Sequence, residues 1–116
     1  MSTWELVPYT TQRGRSPVIE YLDTLPAHDA ARVEVELALL SEFGTDLGMP
    51  HARPITEGLW ELRIRGRIQH RVMYVAIHGR RMLLLHAFTK KTEKTPAREI
   101  RVALDRLADY RRRMEP

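Results

Sequence analysis

The feature that most constrains this chain is the segment 82–89, where Met82, Leu83, Leu84, Leu85, Ala87 and Phe88 leave both parities apolar. A strand of that kind belongs in the middle of a sheet. Two further segments of strand character precede it. Residues 59–65 alternate, with Trp60, Leu62 and Ile64 on one face and Glu61, Arg63 and Arg65 on the other. Residues 68–77 are rich in β-branched and aromatic types and are interrupted by Arg71. Gly66-Arg67 and His78-Gly79 supply turns between the three, so an antiparallel meander is expected.

Helical periodicity governs the flanks. Residues 4–7 are short, alternating and β-prone, a first strand, and 10–15 with Gly14 read as a loop. Ser16-Pro17 is a helix-start signal for a short helix to about Leu25, with Val18, Leu22 and Leu25 on one face. Pro26 ends it and opens a second helix over 27–43, striped by Ala30, Val33, Leu37 and Leu40 and stopped at Gly44. Val35 and Leu39 form a weaker second strip, read chiefly as packing and otherwise as a partner surface. Two glycines and two prolines, Pro50 and Pro54, make 45–58 a connector. Thr95-Pro96 repeats the start signal, followed by Ile100, Ala103, Leu104, Leu107 and Met114 at helical spacing. The expected fold is α+β in the order β-α-α-β-β-β-α: an N-terminal αα-hairpin packed on a small antiparallel sheet, with a C-terminal helix.

At 116 residues the chain is expected to be one domain spanning 1–116, large enough for a core without covalent staples. It has no cysteine, which removes disulfides, thiolate nucleophiles and cysteine-ligated zinc. No apolar run approaches the roughly 18 residues of a membrane helix, and residues 1–8 do not read as a signal peptide. The cytoplasm is the expected compartment, and no membrane association is expected. Charge is unevenly placed: residues 1–58 carry a balance of −5 and residues 59–116 one of +9. A half-molecule this basic suits a polyanion, nucleic acid being the commonest, although a solvated basic surface would read the same way.

There is no phosphate-binding glycine loop and no dinucleotide fingerprint. The five histidines (His28, His51, His70, His78, His86) are scattered, without acidic companions at ligand spacing, so neither metal nor cofactor is expected. What remains is a set of cations on the meander: Arg63 on a polar strand face, Arg71 inside an apolar strand, and Lys90-Lys91 at the end of the central one. With the end of the third strand returning near the start of the first, these groups would converge. An arginine among Val72, Met73 and Val75 needs an anion or a carboxylate to satisfy it. Either a phosphate or a salt bridge to Glu61 would serve.

Four ordered blocks carry a resemblance: Leu59-Trp60-Glu61-Leu62-Arg63; Arg71-Val72-Met73-Tyr74; residues 83–92 ending in Phe88-Thr89-Lys90-Lys91-Thr92; and Lys94-Thr95-Pro96 with Glu99-Ile100. Together, over residues 59–110, they resemble the HigB-like branch of the RelE toxins, a branch that includes phage-derived members. The resemblance implies a small sheet flanked by helices and a cognate helix-turn-helix antitoxin of the HigA type. It implies a toxin that enters the ribosomal A site and cleaves messenger RNA there, without a metal, by attack of the ribose 2′-hydroxyl. The family's functional positions fall on Arg63, Arg71, Lys90 and Lys91. Arg71 and Arg63 would then hold the charge on phosphorus, and Lys90 would carry a proton, its pKa lowered by neighbouring cations and partial burial. His70 stands where the family usually has tyrosine, and its titratable ring is a further catalytic candidate. Arg65, Arg67, Lys94, Arg98 and Arg101 are the expected RNA contacts, with Arg106 and Arg111, Arg112 and Arg113 extending a basic C-terminal helix toward ribosomal RNA. Two other activities fit the same resemblance: a ParE-like toxin acting on DNA gyrase, and a non-catalytic nucleic-acid-binding regulator.

Overall fold

A computed structural model describes residues 3–114. Its elements run β1 (Glu5–Pro8), α1 (Pro17–Asp23), α2 (Ala27–Phe43), β2 (Ala52–Thr56), β3 (Leu59–Ile64), β4 (Gln69–Ile77), β5 (Arg81–Lys90) and α3 (Ala97–Met114), with a single 3-10 turn at Gly44–Asp46. The fold is α+β, as the patterning implied, and is consistent with a RelE-like fold. Five strands form one sheet in the order β1-β5-β4-β3-β2. The β2–β3, β3–β4 and β4–β5 pairs are antiparallel, whereas β1 runs parallel to β5 with Leu6 opposite Met82. The expected all-antiparallel sheet is therefore corrected to a mixed one.

The expected connector over 45–58 is also corrected, because it contains β2. Pro54 argues against a strand in a sheet interior, where its missing N–H would break a ladder bond. On an outer strand that loss is tolerated. Here β2 is the edge, and its register with β3 slips between Pro54 and Thr56.

The sheet is covered on both faces, which is why β5 is apolar at both parities. On one face Val18, Val33 and Leu40 of the αα-hairpin pack on Leu62, Ile64, Val72, Tyr74, Met82 and Leu84. On the other, Ala103 and Leu107 of α3 pack on Leu59, Met73, Val75, Leu83 and Leu85. A bulge lets β5 serve both: Met73 pairs with His86 and Tyr74 with Leu84, leaving Leu85 unpaired. Leu85 and His86 consequently both turn toward α3.

α2 has the expected limits, whereas α1 ends two residues before Leu25. The second strip of α2 divides, Leu39 packing on the core and Val35 standing exposed. The apolar stripe of α3 is narrower than its spacing suggested, since Leu104 and Met114 are exposed. Gly44 takes φ +53°, and a Cβ there would fall on the indole of Trp4. Glycine is required for the backbone angle and for the close approach alike.

Candidate active site

Sheet register assembles the site. Arg63 on β3 pairs with Arg71 on β4, which pairs with Phe88 on β5, and one step on Gln69 pairs with Lys90. Alternate residues share a face, so Glu61, Arg63, Gln69, Arg71 and Lys90 all lie on the α3 side. The expected route to this convergence needs one correction. The first and third strands of a meander run in the same direction, so Lys90 returns beside the end of β3, where Arg63 lies, and not beside its start. Beyond the cover of α3, the side chains of Arg63, Arg67, Gln69, Arg71, Lys90 and Lys91 line a cavity of about 650 Å³, with Glu93 on its rim.

Arg71 anchors the cavity floor at 1% exposure. Its Nη1 donates to the His70 carbonyl at 3.0 Å and its Nη2 to Gln69 Oε1 at 2.9 Å. The Nε group faces Glu61 Oε1 at 3.5 Å, an ion-pair separation, and makes no hydrogen bond. Burial pulls the Arg71 ionisation below the ordinary guanidinium range, and Glu61 acts in the opposite direction. The salt bridge considered from sequence therefore exists, but it leaves the arginine only partly satisfied.

Glu61 was expected on a polar face and is instead fully enclosed. Its carboxylate accepts from Arg53 Nε at 3.1 Å and from the Thr95 hydroxyl at 2.7 Å, while Arg53 Nη2 reaches Thr95 Oγ1 at 3.1 Å. Patterning missed Arg53, Thr95 and Gln69 as parts of this network. The signal for Arg53 was the strand pairing that places it opposite Glu61, and it was hidden because β2 was read as a connector.

Lys90 has its pKa lowered, first by burial and then by Arg71, with Arg53 and Arg63 adding and Glu61 opposing. Arg63 extends its Nη1 toward the Pro50 carbonyl at 3.5 Å and Met49 Sδ at 3.7 Å, and its buried Nε has no partner. Lys91 is exposed where this cavity meets the next one along β5.

The other candidates are distributed differently. His70 is one residue from Arg71 and therefore on the opposite face, enclosed beneath the αα-hairpin between Tyr21 and Asp29, so the structure does not bring it to the cationic cavity. Arg67 lines the cavity, Arg65 lies in a separate groove with Arg32, and Lys94 and Arg101 are exposed. Arg98 borders a second cavity. The basic face expected of α3 is broken up. Arg106 is turned inward to the Leu85 carbonyl at 2.9 Å, and Arg113 bonds Asp109 at 2.7 Å and the Thr10 carbonyl at 2.5 Å.

Among the described residues no group of three or more histidine, cysteine, aspartate or glutamate side chains stands together as a metal site. The chemistry on offer is that of guanidinium and ammonium groups around one open cavity. Two arginines and a lysine with a depressed pKa can bind an oxyanion and exchange a proton beside it.

No curated protein matches this chain. The family profile described as Phage derived protein Gp49-like (DUF891) matches residues 20–108, from within α1 to near the end of α3. That span covers most of the chain and every residue lining the cationic cavity, and it places the protein in the phage-derived Gp49-like family.

Proposed function

We propose that this chain is the toxin of a type II toxin–antitoxin system, an endoribonuclease of the RelE/HigB kind that cuts messenger RNA in the ribosomal A site. A cognate helix-turn-helix antitoxin holds it silent. Membership of a phage-derived family and the four sequence blocks support the class. The observation that carries the activity is the gathering of Arg63, Arg71 and Lys90 around one open cavity.

The reaction that this set serves is transesterification. Lys90 in its neutral form takes the proton from the ribose 2′-hydroxyl. The 2′-oxygen bonds to phosphorus, the P–O5′ bond breaks, and the leaving oxygen is protonated by water or by the Lys90 ammonium. The products are a 2′,3′-cyclic phosphate and a 5′-hydroxyl. Arg71 and Arg63 hold the non-bridging oxygens as charge grows on them, each contributing on the order of 3 kcal/mol, or about a hundredfold in rate. Alignment by the ribosome supplies the rest by fixing the 2′-oxygen in line with the leaving group.

Primer extension on translated message tests this reading. The purified protein should produce discrete cuts, and Lys90→Gln and Arg63→Gln should each lower cutting by about a hundredfold without loss of fold. Uncut message alongside inhibited gyrase supercoiling would replace this reading with the ParE-like one. Full cutting by both variants would remove the active-site assignment.

A further inference from the structure

A buried histidine and a half-buried one take no part in the cationic cavity, yet each fixes one side chain that lines a second cavity. His70, at 3% exposure, places Nε2 2.7 Å from Asp29 Oδ2 and Nδ1 2.6 Å from the Tyr21 hydroxyl. In the neutral tautomer that donates Nε2–H to the Asp29 carboxylate, Nδ1 accepts from the Tyr21 phenol. The Thr89 hydroxyl, 2.6 Å away, then donates to the phenol. Tyr21 is thereby held at its hydroxyl, and its ring is fixed as a wall. On the other side His86 Nε2 lies 2.7 Å from Glu99 Oε1, and its Nδ1 lies 3.2 Å from Arg106 Nη1. The Glu99 carboxylate is thus gripped by one oxygen. Among the described residues its second oxygen has the exposed Arg98 as ion-pair partner, at 3.7 Å.

Tyr21 and Glu99 line the same cavity, about 380 Å³ in volume, together with Thr92, Pro96 and Arg98. It shares Thr89, Lys91 and Thr92 with the cationic cavity, so the two are neighbours around the end of β5. It lies along the outer edge of β5 past Leu84, where β1 ends its pairing and no other described strand takes over.

A fixed aromatic ring, a proline and a pinned carboxylate beside a phosphate-sized cluster of cations suit a nucleobase better than other ligands. Glu99 opposes a phosphate at its own position, while Lys91 and Arg98 can serve the flanking backbone instead, and an apolar group would leave its second oxygen without a hydrogen bond. We infer that this cavity is a base-binding subsite, occupied by the nucleotide flanking the phosphodiester held at Arg63, Arg71 and Lys90, with Glu99 as its specificity-determining residue. Guanine is the preferred base, because its N1–H and N2–H groups are adjacent donors that a carboxylate can accept together. The inference rests on the phosphodiester reading of the neighbouring cavity.

The test uses the intact protein and the set of 2′-O-methyl dinucleoside monophosphates, which cannot be cleaved, titrated by NMR. Those with guanine on one consistent side of the phosphate should bind about tenfold tighter than their uracil counterparts. Glu99→Gln should erase that difference between the guanine and uracil compounds. Lys90→Gln should weaken all of them alike. A measurement free of any variant accompanies these: the bound guanine should show proton–proton Overhauser contacts to the Tyr21 ring. Equal affinity for all bases, a guanine preference surviving in Glu99→Gln, or a bound guanine without Tyr21 contacts would overturn the base subsite. Base preference that persists while Lys90→Gln has no effect would overturn the phosphodiester reading instead, and absence of all binding would overturn both.

Discussion

At the scale of single residues the molecule is organised around an enclosed carboxylate. Glu61 sits among Arg53, Arg71 and Thr95, so the Arg71 guanidinium can remain charged at 1% exposure while still presenting itself to the cavity. Removing one member of a buried ion pair leaves the other charge uncompensated, at a cost of about 3–5 kcal/mol. Glu61→Ala should therefore lower unfolding free energy by about that amount in urea titration, whereas Arg53→Ala, at the more exposed end of the network, should cost clearly less. The second residue-scale prediction concerns Lys90. Its folded pKa is lowered by burial and by Arg71, so the neutral amine becomes available at lower pH than for a free lysine. If neutral Lys90 is the base, kcat/KM for RNA cleavage should rise with pH to a midpoint below the ordinary lysine range. In Lys90→Arg that limb should vanish, because arginine does not lose its proton there. A rise with unchanged midpoint in the variant would exclude Lys90 as the base.

At the scale of elements, the helix-to-sheet attachments are where polar groups were committed. α3 is tied to β5 through Glu99, His86 and Arg106. Burial lowers the His86 pKa, with Arg106 adding and Glu99 opposing. Below about pH 6.5 the unfolded chain binds a proton at this histidine that the folded chain does not, so stability falls as pH drops from there toward the lowered folded value. Wild-type protein should lose more stability between pH 7 and pH 5 than His86→Gln, as measured by chemical denaturation at each pH. The end of α2 offers a second check. Gly44 has a positive φ and no room for a Cβ beside Trp4. Gly44→Ala should cost at least about 1–2 kcal/mol from the backbone alone, and a shift in Trp4 fluorescence should accompany it as the indole is displaced.

At the scale of the whole molecule, the charge asymmetry seen along the chain becomes a local feature. Much of the surplus positive charge of the C-terminal half gathers at the cationic cavity, where β3 and β5 end and β4 begins, while Arg106 turns inward from the middle of α3 and Arg113 bonds Asp109 and the Thr10 carbonyl near its C-terminal end. RNA affinity should therefore depend on salt through the first group only. Neutralising Arg63, Arg67 and Lys91 together should reduce the slope of log affinity against log salt by about 2, at roughly 0.7 for each phosphate that loses its cation on a single strand. Arg106→Gln and Arg113→Gln should leave the slope unchanged, and a reduction of equal size in those variants would move the RNA path onto α3.

What could be read from sequence alone was whatever depends on near neighbours. Periodicity identified α2 to the residue, the three meander strands and the interior position of β5, because side-chain alternation and helical spacing are local consequences of backbone geometry. It also singled out Arg71, since a cation in an apolar strand is conspicuous wherever that strand goes, whereas Arg63 on a polar strand face and Lys90 at a strand end drew notice as cations of the same meander. Tertiary structure decided the rest. It placed β1 parallel on the far side of β5 and made an edge strand of the segment containing Pro54. It turned His70 away from Arg71 toward Tyr21 and Asp29, and enclosed Glu61, which alternation had only placed on the polar face of its strand. Alternation tells which residues share a face but not what covers that face. Strand pairing joins positions far apart in the chain, so the partner of a charged group is settled only when the whole sheet has closed.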